Sequence, residues 1–424
     1  MPKPSSTPVG KPISPARRAA FDILLLVEAG KGNSDDLLHS SHTAKLSPED
    51  RNLATTLVMG TLRWQIALDA RIAETLERPD QRLAEPVAIA LRMGVFQLLH
   101  LDRVPAHAAL NESVELVRAS GNAHAAGMVN AILRRLTREK PPSLPLHEST
   151  AAFARRLAHP QWLVERWVNQ YGRAAAIKIC EAGQAERGEP ELFNDAEGST
   201  LPRLDDGSRL IAELAVAAAP NAARIWDACA APGGKTLVMT HRLAKAEMVA
   251  TDVSPRRLES MRRRFDQVEA RIQTVQADAT MPPAELAGFD LILCDVPCSG
   301  TGTLARNPEI RVRLTPADLS RQAMRQKKIL TAASERLARG GRLLYSTCSL
   351  EPEECEAVVE SVSGTAFFQR NLRVVPLEPL LSELVSTGLM KHDLPKAVKG
   401  DFLRTLPGIH PGDGFFAALF ERVS

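Results

Sequence analysis

No stretch of this chain approaches the roughly 18 consecutive apolar residues that a membrane-spanning helix needs, so no membrane partner is expected. Residues 1–15 lack the apolar core of a secretory signal and are rich in Pro and Ser, the composition of a flexible tail. Cysteine is scarce. Six in 424 residues make no disulfide scaffold, and none stands at the C-x-x-C spacing of a zinc site. Cys294 and Cys298 come nearest to each other, without His partners at metal-ligand spacing, so no metal is expected. Reduced thiols are the natural state for such cysteines, which points to the cytoplasm. An excess of one charge sign is also missing: 53 Lys and Arg stand against 50 Asp and Glu, which leaves no global nucleic-acid signature.

What is present is organised in two styles. The length suits two or three domains with a substantial core. From about residue 16 to 138 the pattern is helical throughout. Ser47-Pro48-Glu49-Asp50 reads as an N-cap with proline at the first helical position and acids in the first turn. Val129, Ile132, Leu133 and Leu136 recur at the spacing of one buried helix face, with Arg134, Arg135 and Arg138 on the polar side. Lys140-Pro141-Pro142-Ser143-Leu144-Pro145 ends this bundle as a linker. A helical connector follows, from His159-Pro160-Gln161-Trp162-Leu163 to Cys180. Beyond it, short apolar strands alternate with segments of helical length. Strands are predicted at 224–227, 248–251, 272–275, 289–293 and 342–346, with two more near 367–375 and 415–420. That alternation predicts a parallel sheet covered by helices on both faces.

The first strand–helix junction carries Asp227-Ala228-Cys229-Ala230-Ala231-Pro232-Gly233-Gly234-Lys235-Thr236, and its glycines let the backbone approach a ligand. Ligands of such sheets bind beyond the carboxyl ends of the strands. Asp252 closes the second predicted strand, Asp278 the third and Asp295 the fourth. Asp252 lies 18 positions after Gly234, about where a nucleotide-binding fold places an acid on the ribose hydroxyls. Gly234-Lys235-Thr236 invites a P-loop reading, but that pattern requires glycine at position 229, which is Cys229 here. The G-x-G-x-x-G pattern of dinucleotide sites fails too. Acids without a phosphate cradle suit S-adenosylmethionine better than ATP or NAD, because it has a ribose, an adenine and a sulfonium cation but no phosphate.

Two further cysteines follow, Cys298 in Asp295-Val296-Pro297-Cys298-Ser299-Gly300 and Cys348 in Tyr345-Ser346-Thr347-Cys348-Ser349. Both are placed just past predicted strand ends. Methyl transfer to carbon 5 of a pyrimidine needs such a pair. Carbon 5 is a poor nucleophile until a thiolate adds to carbon 6, and a second group must then help release the product. A free thiol titrates near ~8.5, so the nucleophile needs support. A helix starting at Glu351-Pro352-Glu353-Glu354 would supply it to Cys348. Spacing alone does not decide which cysteine attacks. Cys180, Cys294 and Cys355 fall inside helix or strand patterns and read as structural. Between residues 306 and 342, ten Lys and Arg stand against three Asp and Glu, which predicts contacts to phosphates beside the chemistry.

The helical part resembles NusB, an all-helical RNA-binding antitermination factor, through Asp50-Arg51, Gly60-Thr61-Leu62-Arg63, Leu91-Arg92-Met93-Gly94 with Gln97, Pro105-Ala106-His107, Asn111-Glu112 and Asn130-Ala131-Ile132-Leu133-Arg134-Arg135. The cysteine and glycine motifs, with Arg404-Thr405-Leu406-Pro407-Gly408 and Asp413-Gly414-Phe415-Phe416, resemble the NOL1/NOP2/Sun family of RNA cytosine-5 methyltransferases, in its bacterial branch acting on 16S ribosomal RNA. The likeness covers nearly the whole chain. It implies a multidomain protein with an N-terminal all-α NusB-like bundle and a C-terminal α/β Rossmann-like class I S-adenosylmethionine-dependent methyltransferase. It also implies that Cys348 is the nucleophile and that Cys298 acts as base in product release, with Asp295 and Lys235 near the target base. Cys229, Ala230, Ala231, Pro232, Gly233, Gly234, Lys235, Asp252, Asp278 and Asp295 are implied to line the S-adenosylmethionine pocket.

Two departures from the family pattern stand out. Val296 replaces the usual Ala, and residues 186–208 offer Leu192-Phe193-Asn194-Asp195 in place of an Arg-Asn motif and a small RNA-binding subdomain. The expected division is a tail at 1–15, the NusB-like domain at 16–140, a linker and helical connector at 141–208 with that subdomain reduced, and the catalytic domain at 209–424. A monomer acting on 16S ribosomal RNA is the leading expectation. The same chemistry on transfer RNA, and a non-catalytic antitermination-type RNA-binding factor, are the alternatives.

Overall fold

The computed structural model describes residues 13–78, 81–139, 148–186, 188–194, 201–267, 271–394 and 396–424. The linker predicted at 140–145 and residues 1–12 of the predicted tail lie outside them. Packing divides the chain into two compact units, Met1–Ala185 with Leu304–Arg313, and Glu186–Thr303 with Leu314–Ser424. The division therefore differs from the one read off composition. The connector helices Thr150–Arg156, Gln161–Tyr171 and Arg173–Gln184 pack within the helical unit, and so do ten residues from the middle of the second half.

In the helical unit the longest helix, Pro48–Ala73, begins as predicted. Ser47 Oγ accepts from the Asp50 backbone nitrogen at 3.1 Å, and Glu49 and Asp50 sit at the positive end of the helix. Phe21, Leu24, Leu57, Leu91, Met93, Val129 and Leu133 form the core. Several NusB-like positions tie helices together. Buried Arg17 donates from Nε to Gln97 at 2.7 Å and from Nη1 to Glu112 at 3.0 Å, and Glu112 also accepts from the Ser14 nitrogen at 2.9 Å.

The inserted segment Leu304–Arg313 is held by the same unit. Glu309, 2% exposed, accepts from the Ser34 nitrogen at 3.0 Å and its hydroxyl at 2.9 Å, at the start of the helix Ser34–Leu38. Arg311, also 2% exposed, donates to the carbonyls of Gly183 at 2.6 Å and Arg63 at 3.2 Å, and to His159 Nε2 at 3.3 Å. Burial and the Arg311 charge hold His159 well below the usual imidazole range, so the neutral ring accepts this bond. Arg63 donates back to the Ala305 carbonyl at 3.0 Å, and Arg313 reaches the carbonyls of Val27 and Gly32. The phosphate-contacting role expected for residues 306–342 is corrected here for Arg311 and Arg313. These side chains satisfy backbone carbonyls, because the stretch is spent on docking a loop. Arg336 and Arg342 are engaged likewise, Arg336 on the Pro282 carbonyl at 3.2 Å and Arg342 on Glu421 at 3.2 Å.

The second unit is built on a sheet of β1 (Arg224–Asp227), β2 (Glu247–Asp252), β3 (Ile272–Gln276), β4 (Phe289–Asp295), β5 (Leu337–Thr347), β6 (Leu372–Val375), β7 (Val398–Lys399), β8 (Phe402–Arg404) and β9 (Phe416–Arg422). The order is β3-β2-β1-β4-β5-β9-β8-β7, with β6 also on β9. The strands β1 to β5 are parallel, and β9 runs antiparallel to β5. Successive residues face opposite sides. Trp226, Ile292, Cys294, Leu343 and Tyr345 belong to one core, and Ile225, Leu291, Leu293 and Leu344 to the other. Both faces are apolar, as a sheet covered on both sides requires. The strand predicted near 367–375 is only half strand. Thr365 Oγ1 accepts from the Phe368 nitrogen at 3.3 Å and caps a short helix, Ala366–Asn371, whose Phe368 packs edge-on to Phe420. Among the described residues no helix is long and apolar enough to cross a membrane.

Candidate active site

The chain builds from β1 outward through β2 and β3, then returns to the other side of β1 for β4 and β5. Such a reversal opens a crevice at the carboxyl ends of the strands. Asp227 ends β1, with the glycine turn directly after it, while Asp252 ends β2 and Asp295 ends β4. Cys298 lies just past β4, and Cys348 is the first residue beyond β5. Asp278 departs from expectation. It stands two residues past the end of β3 and is exposed, because Thr280 turns the chain there. The Thr280 backbone nitrogen, at 2.9 Å, and hydroxyl, at 2.8 Å, hold the Asp278 carboxyl below the usual range.

The glycine turn is packed as tightly as it is bent. Gly233 has φ +93°, and a Cβ there would stand 2.7 Å from the Phe265 ring, while one on Gly234 would stand 2.6 Å from Leu204. The left-handed backbone and the Phe265 ring therefore call for glycine at 233, in addition to the ligand approach expected from sequence. Arg257 fixes the turn by donating to the Ala231 carbonyl at 2.5 Å and pairs with Asp252 at 3.3 Å. Asp252 is 4% exposed and also accepts from the Ser254 nitrogen at 2.8 Å. Thr236 donates to Asp227 Oδ2 at 2.7 Å, whereas Asp227 Oδ1 is buried without a hydrogen-bond partner among the described residues. Burial, with the Asp295 charge nearby, raises the Asp227 carboxyl to about 7.

At the β4–β5 end, Lys235 Nζ meets Asp295 Oδ2 at 2.6 Å, and Ser346 donates to Asp295 Oδ1 at 2.8 Å. Burial disfavours the Lys235 charge, but Asp295 outweighs it and keeps the ammonium. Asp295 is thus neutralised by Lys235, as Asp252 is by Arg257. Cys298 Sγ and Cys348 Sγ are 3.3 Å apart, although 50 residues separate them. The hydrogen bond to Cys348, reinforced by burial, raises Cys298 well above the ordinary thiol range, so it keeps its proton. Burial likewise raises Cys229 and Cys294, and lifts Cys180 and Cys355 to about 12. All six are free thiols.

The helix expected at residues 351–354 is a single tight turn, Pro352–Glu354, and the regular helix Glu356–Ser363 begins later. Cys355, at φ −116° and ψ −105°, breaks the two apart, so the helix end predicted to support Cys348 lies further along the chain. What sequence reading missed is the set of polar neighbours: Asp227, Ser299, Gln326, Ser346, Ser349 and Glu354. Single Ser, Gln or Glu residues carry no spacing signal. Among the described residues no group of three His, Cys, Asp or Glu is placed to hold a metal ion.

A parallel sheet with a glycine turn after its first strand, acids at successive strand ends and an antiparallel last strand defines a methyltransferase fold. Residues 215–421 match the family model described as 16S rRNA methyltransferase RsmB/F, and residues 14–138 match the NusB family. The chain is 30% identical to ribosomal RNA small subunit methyltransferase B of Klebsiella pneumoniae, over 95% of this chain and 97% of that protein. It is 32% identical to the protein of the same description in Xanthomonas campestris, over 89% and 90%. This chain belongs to the 16S rRNA methyltransferase RsmB/F family, with a NusB-type helical domain at its N-terminus. The solved structure of PH0851 superposes with a TM-score of 0.72 over 97% of this chain and 100% of that one, and at 20% identity it speaks for the fold alone.

Proposed function

We propose that this protein methylates carbon 5 of a cytosine in 16S ribosomal RNA, using S-adenosylmethionine and a covalent bond between Cys348 and carbon 6. The observation that carries the reading is the 3.3 Å approach of the Cys298 and Cys348 sulfurs beside the Lys235–Asp295 pair. The names of the relatives support the ribosomal target.

The donor set fits S-adenosylmethionine. The turn from Cys229 to Gly234 would hold it, with Asp252 and Asp278 offering acceptors to its hydroxyl and amino groups. These carboxylates would repel a phosphate. When bound, S-adenosylmethionine supplies an electrophilic methyl group on a sulfonium centre. Cys348 adds to carbon 6 as a thiolate and makes carbon 5 electron-rich. Asp295, held by Lys235 and Ser346, would accept from the pyrimidine edge.

After methylation the carbon 5 proton must leave and the bond from Cys348 to carbon 6 must break. Cys298 serves both needs as a relay. Its sulfur takes the carbon 5 proton while its own proton passes over 3.3 Å to the departing Cys348 sulfur. The products are the methylated base and two thiols. The helical unit contributes RNA binding.

The test is a denaturing gel of protein, small-subunit ribosomal RNA and S-adenosylmethionine, with wild type, Cys298→Ala, Cys348→Ala and the double variant. A covalent RNA adduct in Cys298→Ala that disappears whenever Cys348 is removed is the expected result. An adduct in Cys348→Ala would exchange the two roles. Methyl acceptance by transfer RNA in place of ribosomal RNA would keep the chemistry and change the substrate. No adduct with any RNA would favour a non-catalytic RNA-binding factor.

A further inference from the structure

Beneath the two sulfurs lies a carboxylate that the reaction as described above does not use. Glu354 is fully buried, on the turn Pro352–Glu354. Its Oε1 accepts from the Ser299 nitrogen at 2.9 Å and from Gln326 Nε2 at 3.0 Å. Its Oε2 accepts from the hydroxyls of Ser299 and Ser349, the latter at 2.6 Å. The Ser299 and Ser349 hydroxyl oxygens are themselves 3.1 Å apart. Gln326 also donates to the Pro297 carbonyl at 2.9 Å, and the Tyr345 hydroxyl donates to the Glu354 carbonyl at 2.7 Å. One carboxylate therefore grips the residue after Cys298 and the residue after Cys348, and Gln326 links it to Pro297 on the other side of Cys298.

The cost of the arrangement argues that it has a use. A buried carboxylate is expensive unless its lone pairs are filled, and here they are filled by four neutral donors, with no cation bonded to it among the described residues. Packing alone would be served by an apolar side chain at this place. Charge-assisted bonds are shorter and more directional than neutral ones, so the carboxylate fixes the separation of two loops that come from opposite ends of a 50-residue stretch.

We propose that Glu354 is a positioning residue for the release step, clamping the Cys298 loop to the Cys348 loop so that a proton can pass between the two sulfurs. This rests on the reading of Cys348 as nucleophile and Cys298 as relay. Addition of Cys348 to the base needs only one sulfur in place, whereas release needs both. The clamp should matter most for release. The negative charge of Glu354 also faces Cys298 and adds to the influences that keep its proton on.

The test compares Glu354→Gln, Ser299→Ala and Cys298→Ala with wild type, using ribosomal RNA and S-adenosylmethionine. Adduct is read on denaturing gels, turnover in steady state, and S-adenosylmethionine binding by calorimetry. Gln keeps the size of Glu but replaces one acceptor by a donor facing other donors. Glu354→Gln is expected to accumulate the covalent RNA adduct as Cys298→Ala does, with kcat reduced on the order of 100-fold. KM for RNA and binding of S-adenosylmethionine should stay near wild type. Ser299→Ala removes one hydroxyl donor and should show the same adduct in smaller amount, so the test survives if Glu354→Gln fails to fold. Turnover at the wild-type rate in both variants would overturn the clamp. So would slow turnover without adduct, provided Cys298→Ala shows adduct in the same experiment. If Cys298→Ala shows none, the covalent reading falls first and the clamp with it.

Discussion

The backbone nitrogen of Gly302 donates to the carbonyl of Cys348 at 2.9 Å, while the Gly302 carbonyl accepts from the nitrogen of Gly414 at 2.9 Å. Three segments meet there with no side chain between them. A Cβ on residue 302 would stand 2.8 Å from the Cys348 carbonyl and closer still to that of Gly414. Gly302→Ala should therefore displace Cys348 while leaving the distant glycine turn intact. Turnover is expected to drop on the order of 100-fold with S-adenosylmethionine affinity retained. Kinetics beside calorimetry checks this, and an alanine variant with wild-type kcat would contradict the contact.

Lys235 and Asp295 form the charged pair at the mouth of the site. Lys235→Met leaves the Asp295 carboxylate half-buried without its cation, and Asp295→Asn leaves Lys235 in the same position. Both should lose turnover by a factor of 100 or so, a size typical for removing one preorganised charge. Lys235→Met should in addition reduce adduct formation, since Lys235 holds the Asp295 carboxylate proposed to accept from the pyrimidine edge. Adduct yield measured in Lys235→Met at saturating RNA decides this, and an undiminished yield would mean that the base is held without it.

Asp227 carries a pH dependence. Its carboxyl is raised from 3.8 to about 7 in the folded protein, chiefly by burial, so the folded state holds this proton more tightly than the unfolded chain. The stability that this proton represents is complete below the unfolded pKa and is lost as pH rises through the folded one. Wild type should thus weaken between pH about 4 and about 7 by an amount on the order of 2–4 kcal/mol. Asp227→Asn can still accept from Thr236 and has no such loss. Urea denaturation at pH 5 and pH 8 should show the variant gaining on wild type at the higher pH. A constant difference between the two would show that Asp227 does not titrate in this window.

Arg311 predicts a stability effect without chemistry. Arg311→Met removes the buried donor to the Gly183 carbonyl, at a cost of about 1–3 kcal/mol, while the Arg63 carbonyl keeps its bond from Gln184 at 3.0 Å. A reduced melting temperature with unchanged S-adenosylmethionine affinity is expected, and calorimetric melts beside binding titrations measure both.

The positions of β1 to β5 could be read from apolar runs, and the Ser47 cap from its four residues, because these signals are local. Cys298 and Cys348 were conspicuous by their surroundings, although nothing in a sequence separation of 50 announces a distance of 3.3 Å. Tertiary packing sets the remainder. The stretch 367–375 has the apolar content of a strand, yet Thr365 caps a helix in its first half. Charge counting also misled for Arg311 and Arg313, since a basic run carries no mark of whether its partners are phosphates or carbonyls. Glu354 was visible only as part of an acidic helix start, and its role depends on Ser299 and Gln326, which no local pattern connects to it.

The segment Leu304–Arg313 has a consequence for how this molecule can be divided. The chain leaves the catalytic unit just after the Cys298 loop, contributes ten residues to the helical unit, and returns before Cys348. A truncation at residue 140 is therefore not a clean removal of one module. It strips Glu309, Arg311 and Arg313 of Ser34, Arg63 and Val27 while the segment itself stays attached. By the same logic, exchanging the helical half between relatives is a two-piece graft. The transplanted bundle must bring its own version of a decapeptide encoded far downstream.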